Sequence, residues 1–421
     1  MRRKIRCLIL NAYGSFMASR DGKALAGFLI VSALLAIFGL VYVFLQIIEF
    51  GRANLESTGP PLPDHLREIR VVEDRLGLTK TTFLSYQAGC TTITDIATGD
   101  FHEDPGEEVL LIDCQQAQVV DVAGQPMRSI RFAKPLRFPK IHRTGKGFDD
   151  WIAVDEGVWD ELKAVVASGE ILWSRSAAGN YSGVATGNLD EDPLPEFVVW
   201  RHEQPGLEVL DHDGAVLRPL GTADAVKAVV ILEGVNPQEA RICYSILDRE
   251  LVFLDVHGNV VSRRKPDAPA LNFIFPFEWP ELSSRKIFLQ TFWDSLNFLT
   301  FDGEKVATFH CPSLRNQLLW VPVRLATVRF PERTGSYLVV VDRLYYHSRT
   351  VLQVYEPSGA LVYHEILEGM YGGLGVIPDE SGRATSILLG GSAQVLRYSL
   401  ASGAVNVRRA QRFARPTTAK L

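Results

Sequence analysis

Two short stretches hold most of the residues whose types and spacing suit chemistry. They read Gly99-Asp100-Phe101-His102-Glu103-Asp104-Pro105-Gly106-Glu107-Glu108 and Gly187-Asn188-Leu189-Asp190-Glu191-Asp192-Pro193-Leu194-Pro195-Glu196. Oxygen-bearing side chains at alternate positions of a tight loop, closed by a carboxylate a few residues on, can converge on a hard cation such as Ca²⁺. In the second stretch these are Asn188, Asp190, Asp192 and Glu196; in the first they are Asp100, Asp104 and Glu108. The plainer alternative stays open: the carboxylates accept backbone N–H bonds and simply hold the turns. Elsewhere the chain offers little for catalysis. Its nine histidines fall in no His-x-x-x-His or His-Glu-x-x-His spacing, and there is neither a Gly-x-Ser-x-Gly elbow nor a Gly-Lys-Ser/Thr phosphate loop. Asp211-His212-Asp213 has acid/base residues, but it stands just before Gly214 between two apolar runs and reads as a solvent-facing turn. No catalytic residue and no cofactor other than Ca²⁺ is assigned.

The elements that must position these loops are β-hairpins. Gly124, Gly169, Gly214, Gly258, Gly303, Gly359 and Gly403 recur at spacings of about 45, 45, 44, 45, 56 and 44 residues, each between apolar runs. An Asp or Asn near a Gly between such runs is a hairpin signal, because Gly supplies the positive φ of the turn. Ahead of each glycine lies a second strand pair, whose later strand reads 109–112, 151–154, 197–200, 242–246, 287–289, 337–341 or 386–389. Two hairpins per period make four strands, the content of one propeller blade. Apolar residues make up 47% of the chain, enough for a large β core. The expectation is an all-β, seven-bladed β-propeller of four-stranded blades over residues 90–410, with eight blades as the alternative. The 56-residue interval marks an insertion near Asn316 to Tyr346, the first place to seek a partner-specific surface.

At the two acidic loops the sequence resembles the FG-GAP/VCBS family, whose repeats carry Gly-Asp-x-Asp-x-Asp-Gly-x-x-Asp/Glu loops followed by a strand and form propellers like the integrin α-subunit head. The resemblance covers roughly residues 90–410 and implies Ca²⁺ in the loops and a partner-binding role. This chain departs from the pattern at Pro105 and Pro193, where a Gly is expected and Pro cannot take positive φ. It departs again at His102, a nitrogen where a carboxylate is expected. A second likeness is weaker. Gly169-Glu170-Ile171-Leu172-Trp173 resembles the hairpins of quinoprotein-type propellers, which implies, as the alternative function, a small-ligand sensor or quinoprotein-like enzyme using a central depression.

The N-terminal part has a different character. Residues 24–48 contain no charge, and 25 residues at about 1.5 Å each span roughly 37 Å, enough to cross a bilayer core. The run is too long for a cleaved signal peptide and lacks an Ala-x-Ala site. Residues 1–23 carry Arg2, Arg3, Lys4, Arg6, Arg20 and Lys23 against Asp21, which places the N-terminus in the cytoplasm and the propeller in the periplasm or outside the cell. The whole chain has net charge −5; residues 1–24 contribute +5, leaving −10 for the rest, a poor match for nucleic acid. A connector, 49–89, contains the stiff Gly59-Pro60-Pro61-Leu62-Pro63 and then a helix capped by Asp64, with Leu66, Ile69, Val72 and Leu76 at helical spacing and Gly77 ending it. The rival is an outer hairpin over 69–83 turning at Gly77, the source of the eight-blade alternative. The tail, 411–421, is basic and solvated. Cys90, Cys114, Cys243 and Cys311 lie beyond the span; Cys90 and Cys114 share the first repeat and either pair or stay as buried thiols. The expected function is that of a membrane-anchored scaffold, not an enzyme, that binds a protein or glycan partner.

Overall fold

The computed structural model describes Ser32 and residues 67–400, apart from short stretches that include 90–91, 104–105, 156–160, 177–180, 202–204, 266–273, 311–323, 345–347 and 379–383. The chain divides into two compact units, Met1–Pro61 and Leu62–Leu421, and all described residues except Ser32 belong to the second. The expected membrane span, 24–48, thus lies outside the described residues but for Ser32. Among the described residues no helix is long and apolar enough to cross a membrane.

Where described, the regular structure of the second unit is β-strand, save for one 3-10 turn, Pro237–Glu239, between strands. Two strands come first, β1 (Arg70–Asp74) and β2 (Leu78–Ser85). Antiparallel four-stranded sets follow in chain order. β3 (Asp95–Gly99), β4 (Glu108–Ile112), β5 (Gln116–Asp121) and β6 (Pro126–Arg131) form the first, and β7 (Pro139–Arg143), β8 (Trp151–Asp155), β9 (Glu161–Val166) and β10 (Ile171–Ser176) the next. β11 (Tyr181–Gly187), β12 (Glu196–Arg201), β13 (Pro205–Leu210) and the long β14 (Val216–Leu232) continue into β15 (Arg241–Ile246), β16 (Glu250–Leu254) and β17 (Val260–Arg264) as one seven-stranded sheet. Residues of β14 up to Ala225 pair with β13 and those from Val226 on pair with β15, so one strand serves two sets. β18 (Ile274–Phe277), β19 (Ile287–Thr291), β20 (Ser295–Thr300) and β21 (Lys305–His310) come next, then β22 (Arg324–Val328), β23 (Tyr337–Leu344), β24 (Arg349–Tyr355) and β25 (Leu361–Glu368). The last set is β26 (Gly373–Pro378), β27 (Ala384–Gly390), β28 (Gln394–Leu400) and, as its fourth member, β2.

Where their burial is described, as in β4, β8, β12 and β15, second strands are buried on both faces, which is why they read as unbroken apolar runs. In β23, Val339 and Val341 join one core cluster while Leu338 and Val340 join another; in β12, Val198 and Trp200 divide in the same way from Phe197 and Val199. The core therefore lies between sheets, and each fully buried Val or Leu contributes about 1.5–3 kcal/mol of transfer free energy.

The periodic glycines have two jobs at once. From Gly124 to Gly359 all six have φ between 81° and 88°, and each N–H closes a tight turn onto the carbonyl three residues back, as from Gly169 to Val166 at 2.8 Å. Register shifts at the adjoining strand ends, such as Val209/Leu210 and Phe253/Leu254, mark the bulge that accompanies such a turn. Each turn also docks on the preceding outer strand. A Cβ at Gly169 would lie 2.4 Å from Arg131 O, and one at Gly214 would lie 2.7 Å from the Trp173 ring. Gly403 lies outside the described residues. Of the insertion expected near Asn316 to Tyr346, residues 316–323 and 345–346 also lie outside them, while most of the remainder forms β22 and β23, regular strands of one set.

The N-terminal expectation is corrected. Over 70–85 no helix forms; β1 pairs with β25 and β2 with β28, in two different sheets. Asp64 and Leu66 lie outside the described residues, and the capping carboxylate is that of Asp74, whose Oδ1 accepts from the N–H groups of Leu76 and Gly77 at 3.1 and 2.6 Å. β-Branched Val71, Val72, Thr79, Thr81 and Thr82 favour the extended chain. The rival hairpin over 69–83 is absent as well, because β1 and β2 pair with other strands and not with each other. That removes the hairpin on which the eight-blade alternative rested. The sheets thus take in residues that the expected connector, 49–89, claimed.

Cys114 is disulfide-bonded. The chain before Cys90 is tied to the turn that bears Cys114: Gly89 N–H donates to Asp113 Oδ2 at 2.8 Å, and Gln115 Nε2 donates to Gly89 O at 3.1 Å. Cys243 is a buried free thiol.

Candidate metal centre

Both acidic stretches connect the first strand of a set to the second. The loop 188–195 joins β11 to β12, with Gly187 opposite Glu196; the loop 100–107 joins β3 to β4, with Gly99 opposite Glu108. In each, an apolar residue near the loop start is fully buried, Leu189 or Phe101, and anchors the backbone. Its N–H then donates to Oε2 of the closing glutamate, Leu189 to Glu196 at 2.5 Å and Phe101 to Glu108 at 2.7 Å. The burial of both glutamates, 0% and 4% exposed, follows from their place at the head of a second strand.

The two loops differ in what faces them. In the second, one oxygen from each of Asp190, Asp192 and Glu196 lies within 4.8 Å of the others. Glu196 Oε1 and Asn188 Oδ1 are buried and meet no hydrogen-bond partner among the described residues. Asp190 and Asp192 also shape the turn, accepting from Asp192 N–H at 2.9 Å and Leu194 N–H at 2.7 Å, and Asn188 Nδ2 donates to Asp192 O. Burial pushes the Glu196 carboxyl up to about 7; the charges of Asp190 and Asp192 add to this, and the Leu189 N–H offsets part of it. Four oxygen-bearing side chains with two unused buried acceptors fit a hard cation, whose remaining coordination would come from backbone or water. Such an ion would supply the positive charge that this carboxylate lacks, so its binding would displace a proton near neutral pH.

A further carboxylate comes from β14. Glu233, just past its end, accepts from Asn188 N–H through Oε1 at 3.2 Å. At the matching place beside the first loop stands Arg143, the last residue of β7, which donates from Nη1 to Asp100 O at 3.0 Å and lies 4.6 Å over the Phe101 ring. There the protein provides its own cation. Asp100 and Glu108 join no metal-ligand group among the described residues, and Asp104 lies outside them.

Besides Glu233, sequence reasoning missed the neighbouring turn. The Asp211–Asp213 segment does form the β13–β14 turn, with Gly214 N–H on Asp211 O at 2.9 Å, yet Asp211 and His212 are brought within 4.8 Å of Asp192. Trp173 Nε1 holds His212 O at 3.0 Å and its ring packs edge-on against Phe197, centroids 5.1 Å apart. The tryptophan of the quinoprotein-like hairpin is therefore part of the packing between two sets. Only the recurrence of the Gly turn beside an acidic loop of the same repeat hinted at this proximity.

No protein-family model matches the chain, and no curated protein matches it in sequence. Among solved structures it is similar to two crystal structures of BBS1N in complex with ARL6DN, one soaked with lead and one with mercury. Each is 11% identical and covers 80% of this chain and 99% of the matched chain, with a TM-score of 0.49. A likeness of that degree carries nothing about ligand or partner.

Proposed function

We propose that this chain is a membrane-anchored, seven-bladed β-propeller lying outside the cytoplasm, a protein- or glycan-binding scaffold and not an enzyme, with Ca²⁺ held by Asn188, Asp190, Asp192 and Glu196. The observation that carries the reading is the closure: β2, from the start of the fold, completes the last set by pairing with β28, and β26 lies beside β3. Counting β14 in both of its sets supports a count of seven blades. Closure leaves the sheets without a free ring edge and presents loops on rigid rims, a surface suited to recognition. The disulfide at Cys114 supports an oxidising compartment, and the uncharged run 24–48 supports the anchor.

The test is affinity purification of the full-length protein from crosslinked membranes, with Ca²⁺ or with chelator. A protein or glycan recovered from the Ca²⁺ sample and lost on substitution of Asp190 and Asp192 supports the scaffold. Recovery of a bound small molecule alone favours the sensor or enzyme. Protease added to intact cells or spheroplasts should digest the propeller; its protection, with the N-terminus exposed, would reverse the topology.

A further inference from the structure

The segment entering the first set brings two arginines together. Arg324 opens β22 and is paired in register with Val341 of β23. Arg343 lies two residues further along β23, so all three side chains share one face of the sheet and the two arginines are diagonal neighbours. Both reach the backbone that leads into β3. Arg324 Nη2 donates to Thr94 O at 3.3 Å, while Arg343 Nη1, Ile93 O and Thr92 Cγ2 all border the space beside the Gly372 Cα. Gly372 keeps that space open: a Cβ there would lie 2.7 Å from Arg343 Nη1, 2.7 Å from Ile93 O and 2.8 Å from Thr92 Cγ2. The junction itself is fixed by Thr92, whose Oγ1 lies 3.0 Å from Met370 O, 3.1 Å from Gly390 O and 3.2 Å from Gly372 N.

Arg343 is only 7% exposed, yet its Nε is buried and meets no hydrogen-bond partner among the described residues. Burial first, and the Arg324 charge second, lower its pKa to about 10, which Asp342 offsets in part. Asp342 is the preceding residue on the strand and so projects to the opposite face. A desolvated guanidinium with an unused donor, next to a second guanidinium, is a costly arrangement for the protein alone. An oxyanion removes both costs, because it accepts from the forked N–H edge and cancels the like charges.

We propose that Arg324 and Arg343 form a binding site for a small oxyanion, a phosphate or carboxylate group, where β22 and β23 meet the segment entering β3. The site is independent of the acidic loop and does not rest on the scaffold reading.

The test uses the full-length protein in phosphate-free buffer, titrated calorimetrically with inorganic phosphate and, in parallel, with acetate, at ionic strength held constant with sodium chloride. At least one probe should bind saturably. Arg343→Met and Arg324→Gln should each weaken it by about tenfold or more, the value of a charge-assisted hydrogen bond. Phosphate binding alone assigns a tetrahedral anion, and acetate binding assigns a carboxylate. Without any probe, Arg343→Met should melt higher than the parent, because a buried unpaired charge is gone; a guanidinium kept only for packing would melt lower when replaced. Should Arg343→Met fail to fold, Arg324→Gln, at a half-buried position, carries the comparison. Binding of neither probe, or unchanged binding in Arg324→Gln, overturns the proposal.

Discussion

The backbone N–H of Leu189 donates to Glu196 Oε2 across the whole acidic loop, at 2.5 Å, and leaves the other carboxylate oxygen without a partner among the described residues. The same bond closes the first loop from Phe101 to Glu108. One oxygen of each glutamate thus belongs to the fold, and what differs is the use of the second. Beside the first loop Arg143 brings a positive charge; beside the second Asp190, Asp192 and Glu233 bring only negative ones.

Glu196→Gln separates these two uses. The amide oxygen can still accept from Leu189, while its NH₂ donates toward Asp190 and Asp192 and removes one of three converging acids. Ca²⁺ should raise the melting temperature of the parent, by about 3 kcal/mol of stabilisation at a hundredfold excess over Kd, and should leave Glu196→Gln unmoved. Glu108→Gln should respond as the parent does. Differential scanning calorimetry with Ca²⁺ and with chelator reads all three, and an equal response of the parent and Glu196→Gln would remove the metal assignment.

Gly169→Ala tests why the glycines recur. Its Cβ would meet Arg131 O at 2.4 Å at a φ of 88°, whereas Gly77 has a φ of 72° with nothing within 4 Å of the added atom. Gly77→Ala should cost about 1 kcal/mol, the left-handed penalty alone. Gly169→Ala should cost about 3 kcal/mol or more, since the turn must also pull away from the preceding outer strand. Urea unfolding measures both, and equal costs would mean that the turns need positive φ but no docking.

These positions also explain what the sequence made legible. The glycines announce the repeat because both φ and close approach restrict them, and the second strands announce themselves because burial on two faces demands continuous apolar residues. Local spacing misled at Ile69, Val72 and Leu76, since the partners that make this stretch extended lie far along the chain; Lys80 meets Glu365 across a separation of 285 residues. The acidic loop could be read residue by residue, but Glu233, Asp211 and His212 join it only through the return of β14 and the β13–β14 turn. Arg324 and Arg343 belong to no motif. Their meeting depends on strand register and on Gly372, neither of which has a local signature.

His142 predicts an acid limit. Its Nδ1 lies 2.7 Å from Thr186 Oγ1, joining β7 to β11, and burial, aided by the charge of Lys140, lowers its pKa to about 3 from the ordinary 6.5. The folded protein keeps the ring neutral while the unfolded chain protonates it below about 6.5. The resulting stability is present above pH 6.5 and is lost progressively as pH falls toward 3. His142→Gln can still hydrogen-bond and does not titrate, so its stability, measured by urea unfolding at pH 7.5, 6 and 5, should gain on the parent with each step down. Parallel profiles would show that the ring titrates alike in both states.

Closure of the fold depends on Glu365 more than on the ion pair it makes. The Glu365 side chain is 4% exposed and its Oε2 accepts from the hydroxyls of both Tyr363 and Tyr398 at 2.9 Å, while Oε1 meets Lys80 Nζ of β2 at 2.5 Å. β25 and β28 are thus pinned to each other, and β2 is added from the solvent side through a lysine that is 42% exposed. Lys80→Met should cost less than about 1 kcal/mol, because the pair is screened on that side and the tyrosines still satisfy the carboxylate. Glu365→Ala strands two buried hydroxyls and should cost about 3 kcal/mol. Amide exchange of residues 78–85 should quicken strongly in Glu365→Ala and little in Lys80→Met. If Lys80→Met releases β2 as readily as Glu365→Ala does, the ion pair and not the buried tyrosine–carboxylate cluster holds the first strand to the last set.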